Sequence, residues 1–179
     1  MQKFIISVTG HRAWKDRAHE RETLFHATAK LVDMLEKTFT RSTQVVLIHG
    51  CATGVDMWFG EHAMRLDLPI ELYLPFPRIT QIVKGKMSPR QAASLNRQIE
   101  YADKTVVVNK QFHYHGYEKR NWALVNRCNL LASYYTRERS GSGNAVRYAI
   151  KKNVPVVDLR RIVDLTHLPD SIHHINELL

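Results

Sequence analysis

The sequence predicts a single α/β domain built on an open, mostly parallel sheet. Three observations carry that expectation. Six short runs rich in β-branched and apolar residues recur along the chain, separated by longer stretches with helical spacing. Two of these runs lead into small-residue turns that open helices, at 49–56 and at 140–148. Finally, 179 residues with 44% hydrophobic and 24% charged content fill one such core and are too few for two comfortable ones. One domain is expected over residues 1–179, without internal repeat, low-complexity tract or linker.

In chain order, Lys3 to Val8 reads as a buried first strand that breaks at Thr9-Gly10-His11-Arg12. In open α/β sheets that carboxyl edge is where ligands bind, so His11 and Arg12 stand at the rim, and Thr9-Gly10 lets a ligand approach the backbone. An ordinary loop with an exposed arginine fits the same residues. From His19 to about Phe39, Leu24, Phe25, Thr28, Leu31, Val32 and Leu35 recur at helical spacing. Gln44 to Ile48 forms the second strand. Leu68 to Leu74 is the third, stopped by Pro75-Phe76-Pro77. Ile79 to Arg90, polar and basic, reads as a mobile flap. Ser88-Pro89 then starts a helix to about Tyr101, with Ser88 as cap and Pro89 in the first turn. Lys104 to Val108 is the fourth strand, and Asn109 to Lys119 an aromatic, His-rich loop suited to stacking on a base or to plain exposure. Arg120-Asn121-Trp122 opens a short helix. Asn129 to Tyr135 and Val154 to Leu159 are the last strands, with a helix from Asn144 to Lys152 between them and a capping helix in the tail.

The two turns are the candidates for chemistry. Ser140-Gly141-Ser142-Gly143 packs two glycines and two serines into four positions, so the backbone can turn sharply and bring its N–H groups to an anion at the start of a helix. The same pattern also serves as a connector. His49-Gly50-Cys51-Ala52-Thr53-Gly54-Val55-Asp56 repeats it after the second strand. On the helix that follows, Gly54, Met57 and Glu61 share a face, while Asp56 lies in the first turn, where a carboxylate also complements the helix dipole. Glu61 sits among apolar neighbours, and a carboxylate in such a place requires a partner.

Formal net charge is +9, with 26 Lys and Arg against 17 Asp and Glu, which favours phosphate-bearing partners. The basic residues are spread out, as on ordinary solvated helices. The apolar run at the N-terminus is too short for a signal peptide, and no stretch reaches the roughly 18 apolar residues of a membrane span, so a cytoplasmic location away from membranes is expected. Cys51 and Cys128 fall in or beside buried strands without metal-ligand spacing and are expected as free thiols. His113-x-His115 lacks a nearby carboxylate or cysteine, and neither a metal nor a cofactor is expected.

The set Ser7-Val8-Thr9-Gly10-His11-Arg12, Gly50 to Trp58 with Glu61, Leu74-Pro75-Phe76, Arg120-Asn121, and Gly141 to Ala149 with Pro155-Val156 resembles, in that order, the YpsA-like proteins. These belong to the SLOG superfamily, which groups DNA-processing protein A and the Lonely-guy enzymes. The resemblance covers about residues 4 to 159. It implies a Rossmann-like, doubly wound sheet with helices on both faces, whose turns bind nucleotides or nucleotide-derived ligands. Superfamily members hydrolyse the N-glycosidic bond of nucleoside 5′-monophosphates, sense ADP-ribose-like signals or bind single-stranded DNA. By analogy a homo-oligomer is also implied.

The chain departs from the Lonely-guy signature Gly-Gly-x-Gly-Thr-x-x-Glu at the threonine and the glutamate, where it has Asn144 and Arg147. Phosphate binding survives that change, but the acid is lost from this place. The expected function is therefore binding of a phosphorylated nucleotide or ADP-ribose-like small molecule. Its ligand-binding residues would be Thr9, Gly10, Arg12, Gly50, Thr53, Gly54, Arg120, Asn121, Ser140, Gly141, Ser142, Gly143, Asn144 and Arg147. A nucleoside monophosphate N-glycosidase is the alternative, with Glu61 and Asp56 as its carboxylates. Single-stranded nucleic-acid binding is a third reading.

Overall fold

Every strand of the sheet runs parallel to its neighbours, in the order β4-β3-β2-β1-β5-β6. The computed structural model describes residues 2–12, 18–38, 43–135, 137 and 139–161. The elements are β1 (Gln2–Gly10), α1 (Ala18–Thr38), β2 (Thr43–His49), α2 (Val55–Arg65), β3 (Ile70–Leu74), α3 (Arg78–Lys84), α4 (Pro89–Tyr101), β4 (Lys104–Val107), α5 (Gly116–Arg127), β5 (Leu130–Tyr134), α6 (Gly141–Lys151) and β6 (Val156–Asp158). After β1 the chain winds outward through β2, β3 and β4, then returns to place β5 on the free side of β1. The order of strands thus reverses between β1 and β5, and a crevice opens there at the carboxyl edge.

A parallel sheet covered on both faces needs apolar residues at consecutive positions. Phe4, Ile6, Val45 and Leu47 point to the layer of α1, α2 and α4, while Ile5, Val46, Ile48 and Leu131 point to that of α5 and α6. This is why the strand runs lack polar alternation. The doubly wound sheet agrees with the fold read from the sequence. The α4 start is also as read: Ser88 accepts the Gln91 N–H, and the Gln91 side chain accepts the Ser88 N–H.

Three local expectations change. The segment read as a flap contains helix α3, whose buried Gln81 donates to the Cys51 carbonyl at 2.8 Å. Helix α6 begins three residues earlier than read, so that Gly141-Ser142-Gly143 is its first turn instead of a preceding loop. Helix α5 begins at Gly116, inside the aromatic segment. The capping helix expected in the tail lies outside the described residues. Both cysteines are free and buried, and burial pushes the Cys128 thiol up to about 12. Among the described residues no helix is long and apolar enough to cross a membrane.

Two histidines are buried in this framework. His62 on α2 packs edge-on against Phe25 of α1, with ring centroids 5.2 Å apart, and neither ring nitrogen has a hydrogen-bond partner. Burial, then the charges of Arg65, Arg21 and His26, lower its pKa to about 3. His49, at the end of β2, is lowered to about 4, chiefly by burial. Both are therefore neutral when folded, whereas the unfolded chain takes up these protons near pH 6.5. Stability should fall as pH drops below 6.5, by ~2 kcal/mol per histidine at pH 5. Urea unfolding at pH 7.5 and pH 5.0 measures this. His62→Phe should remove about half of the loss, and an unchanged pH dependence in that variant would contradict the assignment.

Candidate functional site

At the crevice between β1 and β5 lies a cavity of about 570 Å³. Its floor is the end of β1, Ser7 to Gly10, and its walls come from both helical layers. Ser7 is fully buried and its Oγ has no hydrogen-bond partner. A tight set of contacts joins the elements around the opening. Ser142 Oγ donates to the Gly10 carbonyl at 2.7 Å, tying the first turn of α6 to the end of β1. Asn121 on α5 donates to the Gly141 carbonyl at 3.2 Å. Ser140 caps α6 by accepting the Gly143 N–H at 3.1 Å, and its hydroxyl donates to the Arg137 carbonyl at 2.7 Å. The N–H groups of Gly141 and Ser142, in the first helical turn, have no acceptor within the helix.

The β2–α2 turn is built around its own carboxylate. Asp56 Oδ2 accepts the N–H of Gly50 at 3.2 Å, the N–H of Ala52 at 3.3 Å and Arg120 Nη1 at 3.0 Å. The Cys51 N–H goes to His49 Nδ1 at 3.2 Å, with Cys51 held at a left-handed φ of 59°. Both partners of the ion pair are nearly enclosed, their side chains 6% and 8% exposed. Gly50 is required by that enclosure, because a Cβ there would stand 1.5 Å from Arg120 Nη1. Gly10 faces a similar limit: a Cβ would lie 2.4 Å from the Val55 side chain.

The residues singled out in the sequence divide accordingly. Thr9, Gly10, Arg12, Asp56, Arg120, Asn121, Ser140, Gly141 and Ser142 all line the cavity. Gly50, Thr53, Gly54, Gly143, Asn144, Arg147 and Glu61 are not part of its lining. The amides of Gly50 and Ala52 are turned to Asp56, so the expectation that this turn offers them to a ligand phosphate is corrected. Arg120 is likewise a buried partner of Asp56 instead of a rim cation, although its Nε, unpartnered and enclosed, belongs to a side chain on the cavity wall. Arg147 donates to Asn144 Oδ1 on the exposed side of α6. Glu61 accepts from Ser94 Oγ of α4 at 2.7 Å. The two carboxylates proposed for glycosidic chemistry are thus not brought to one place.

Sequence reasoning missed Glu20 and Arg137 and gave Tyr117 only as part of the aromatic 109–119 loop; all three are on the cavity wall. Glu20 in the first turn of α1 stands 3.2 Å from His11 Nε2, and Arg12 lies over the Tyr117 ring at 5.0 Å. No motif marks Glu20, which reads as one more polar residue at a helix start. Phe112, His113 and Tyr117 gather on the buried Phe76 ring, with centroids 5.0 to 6.2 Å away. His113 Nε2 is 2.9 Å from Asn109 Oδ1 and His115 Nδ1 is 3.5 Å from Glu118, so the histidine pair is divided between separate partners.

Removing one partner of a buried ion pair strands the other. Asp56→Ala should lower unfolding stability by ~3–5 kcal/mol, and adding Arg120→Met should recover part of that loss. Urea denaturation of the two single variants and the double variant checks this, and additive effects would show that the pair is uncoupled.

No family model matches the chain, and no curated protein does. Solved structures do. DNA-processing protein A from Streptococcus pneumoniae superposes with a TM-score of 0.64 at 16% identity, over 97% of this chain and 56% of that one. The present chain therefore spans little more than half of that protein. The Helicobacter pylori protein of the same name, described by its single-stranded DNA binding mode, gives 0.59 at 13% identity over 98% of this chain and 80% of that one. The molybdenum cofactor carrier protein of Chlamydomonas reinhardtii gives 0.55 at 14%, over 99% of this chain and 85% of that one. At these identities the likeness is one of fold, a Rossmann-like α/β arrangement shared with these proteins.

Proposed function

We propose that the cavity binds a phosphorylated nucleotide or a nucleotide-derived, ADP-ribose-like ligand, with a phosphate at the start of α6. The observation that carries this reading is the opening of the first turn of α6 into a cavity at the point where strand order reverses. The volume of about 570 Å³ is in the range of small-molecule sites. Arg12 and Arg137 add positive charge at the wall, and the net charge of +9 favours an anionic partner. Of the residues named from the sequence, Thr9, Gly10, Asn121, Ser140, Gly141 and Ser142 would meet the ligand. Asp56 and Arg120 would hold the wall in shape. Cleavage of a glycosidic bond is less well supported, since Glu61 faces α4 and Asp56 is committed to Arg120.

A Cβ at Gly141 meets nothing within 4 Å, so a longer side chain can enter the opening without disturbing the fold. Gly141→Glu should melt at or above the wild-type temperature, because a carboxylate suits a helix start. In a thermal-shift screen of nucleotides and ADP-ribose, the wild type should gain roughly 5–10 °C at a ligand concentration a hundredfold above Kd, and Gly141→Glu should gain nothing. Absence of any shift in the wild type, or an equal shift in the variant, counts against the site.

Single-stranded nucleic acid is a second reading, favoured by one observation. Tyr114 is 90% exposed beside Phe112, over which Lys84 Nζ sits at 4.7 Å. An exposed ring next to a cation is a platform for a stacked base. Binding of an oligothymidylate should then weaken steeply with salt, and Tyr114→Ala should cost roughly tenfold or more in affinity. A flat salt response excludes this reading.

A further inference from the structure

Besides Arg120, which is bound to Asp56, two arginines stand on the cavity wall, Arg12 and Arg137. Among the described residues only Arg12 of these two is seated on a ring. Its Cζ lies 5.0 Å from the centroid of Tyr117, which lines the same cavity. Tyr117 is braced in turn by the buried Phe76, edge-on at 5.2 Å with 84° between the ring planes. Arg12 is exposed, and among the described residues no acceptor takes a hydrogen bond from it. A cation that served only to draw in an anion would need no such support.

A guanidinium is planar, and an aromatic group stacks on it much as on another ring. One face of Arg12 is turned to Tyr117, which leaves the other for a ligand. A separation of 5.0 Å has no room for a further ring between the two, since two stacking contacts need about 7 Å. An added ring therefore takes the outer face. Helix α5 also ties this seat to the phosphate end. Tyr117 stands four residues before Asn121, whose Nδ2 donates to the Gly141 carbonyl at 3.2 Å. Residues four apart on a helix have Cβ atoms about 5–6 Å apart, so one turn of α5 separates Tyr117 from the side chain that touches the first residue of α6.

Resting on the nucleotide reading above, we propose that the base of the ligand stacks on the outer face of the Arg12 guanidinium, over Tyr117, so that the cavity selects nucleotides over base-free sugar phosphates. The seat reads the presence of a base and not its identity, because every base has a π-face.

Calorimetric titration of the full chain with the four ribonucleoside 5′-monophosphates, ADP-ribose and ribose 5-phosphate tests this. The wild type should bind at least one nucleotide roughly tenfold tighter than ribose 5-phosphate. Arg12→Lys keeps the charge and loses the plane. It should cost that nucleotide roughly tenfold and ribose 5-phosphate at most about twofold. Tyr117→Leu should show the same split, and Tyr117→Phe should keep the wild-type affinity, with melting temperatures recorded for each variant. Arg12 is exposed, so its replacement leaves the core intact, and the wild-type comparison needs no variant. Nucleotides that bind no better than ribose 5-phosphate, or an equal loss of both probes in Arg12→Lys, overturn the base seat and leave the cavity reading intact. An unchanged nucleotide affinity in Arg12→Lys, or an equal loss in Tyr117→Phe and Tyr117→Leu, overturns it too. No binding by any of the six probes removes the cavity reading and this inference together.

Discussion

Arg120 reaches from α5 over the carboxyl edge of the sheet to Asp56 on α2, and the two helices belong to opposite layers. The same Asp56 oxygen gathers the N–H groups of Gly50 and Ala52, so one carboxylate closes the β2–α2 turn and links the layers. Enclosed charge is costly unless it is paired and hydrogen-bonded, and here both conditions hold. The backbone has yielded to this pair at Gly50, where any side chain would collide with the guanidinium. Cys51 takes a left-handed conformation beside it. The cavity is what remains once this clasp is shut.

That clasp also divides the labour between two turns that look alike in sequence. In the β2–α2 turn a residue of the chain itself takes the place an anionic ligand could occupy. In α6 the capping residue satisfies only the Gly143 N–H, and the first turn still opens into the cavity. The proposed anion site rests on a helix start whose first amides have no acceptor within the helix and on buried polar atoms without partners beside it. The departure from the Lonely-guy signature is consistent with that picture: Arg147 and Asn144 bond to one another on the exposed side of α6 and do not line the cavity.

Much of the architecture was legible from local signals. The strands announced themselves because a sheet buried on both faces demands unbroken apolar runs, and Ile5 and Ile6 serve opposite layers side by side. The start of α4 was legible because Ser88 and Gln91 satisfy each other's backbone three residues apart. Short-range rules failed at Gly141-Ser142-Gly143, where glycine suggests a loop but the Ser140 cap and the Ser142 bond to Gly10 hold a helical turn. They failed again at α3, whose polar sequence is anchored by one buried side chain, Gln81, to a carbonyl thirty positions earlier.

By itself, then, the sequence determined the α/β class, the two helix-opening turns and nine of the residues that border the cavity, since these follow from periodicity, capping and glycine placement within a few positions. Only the tertiary structure decided what each turn does. Asp56 and Arg120 are 64 positions apart, and that they meet each other depends on how α5 crosses the sheet. Glu61 and Asp56 share a helix but look toward different elements, so nearness in sequence joined what packing separates. Glu20 carries no motif at all, and the crevice it borders exists only because the chain returns to place β5 beside β1, a long-range pairing that no local pattern encodes.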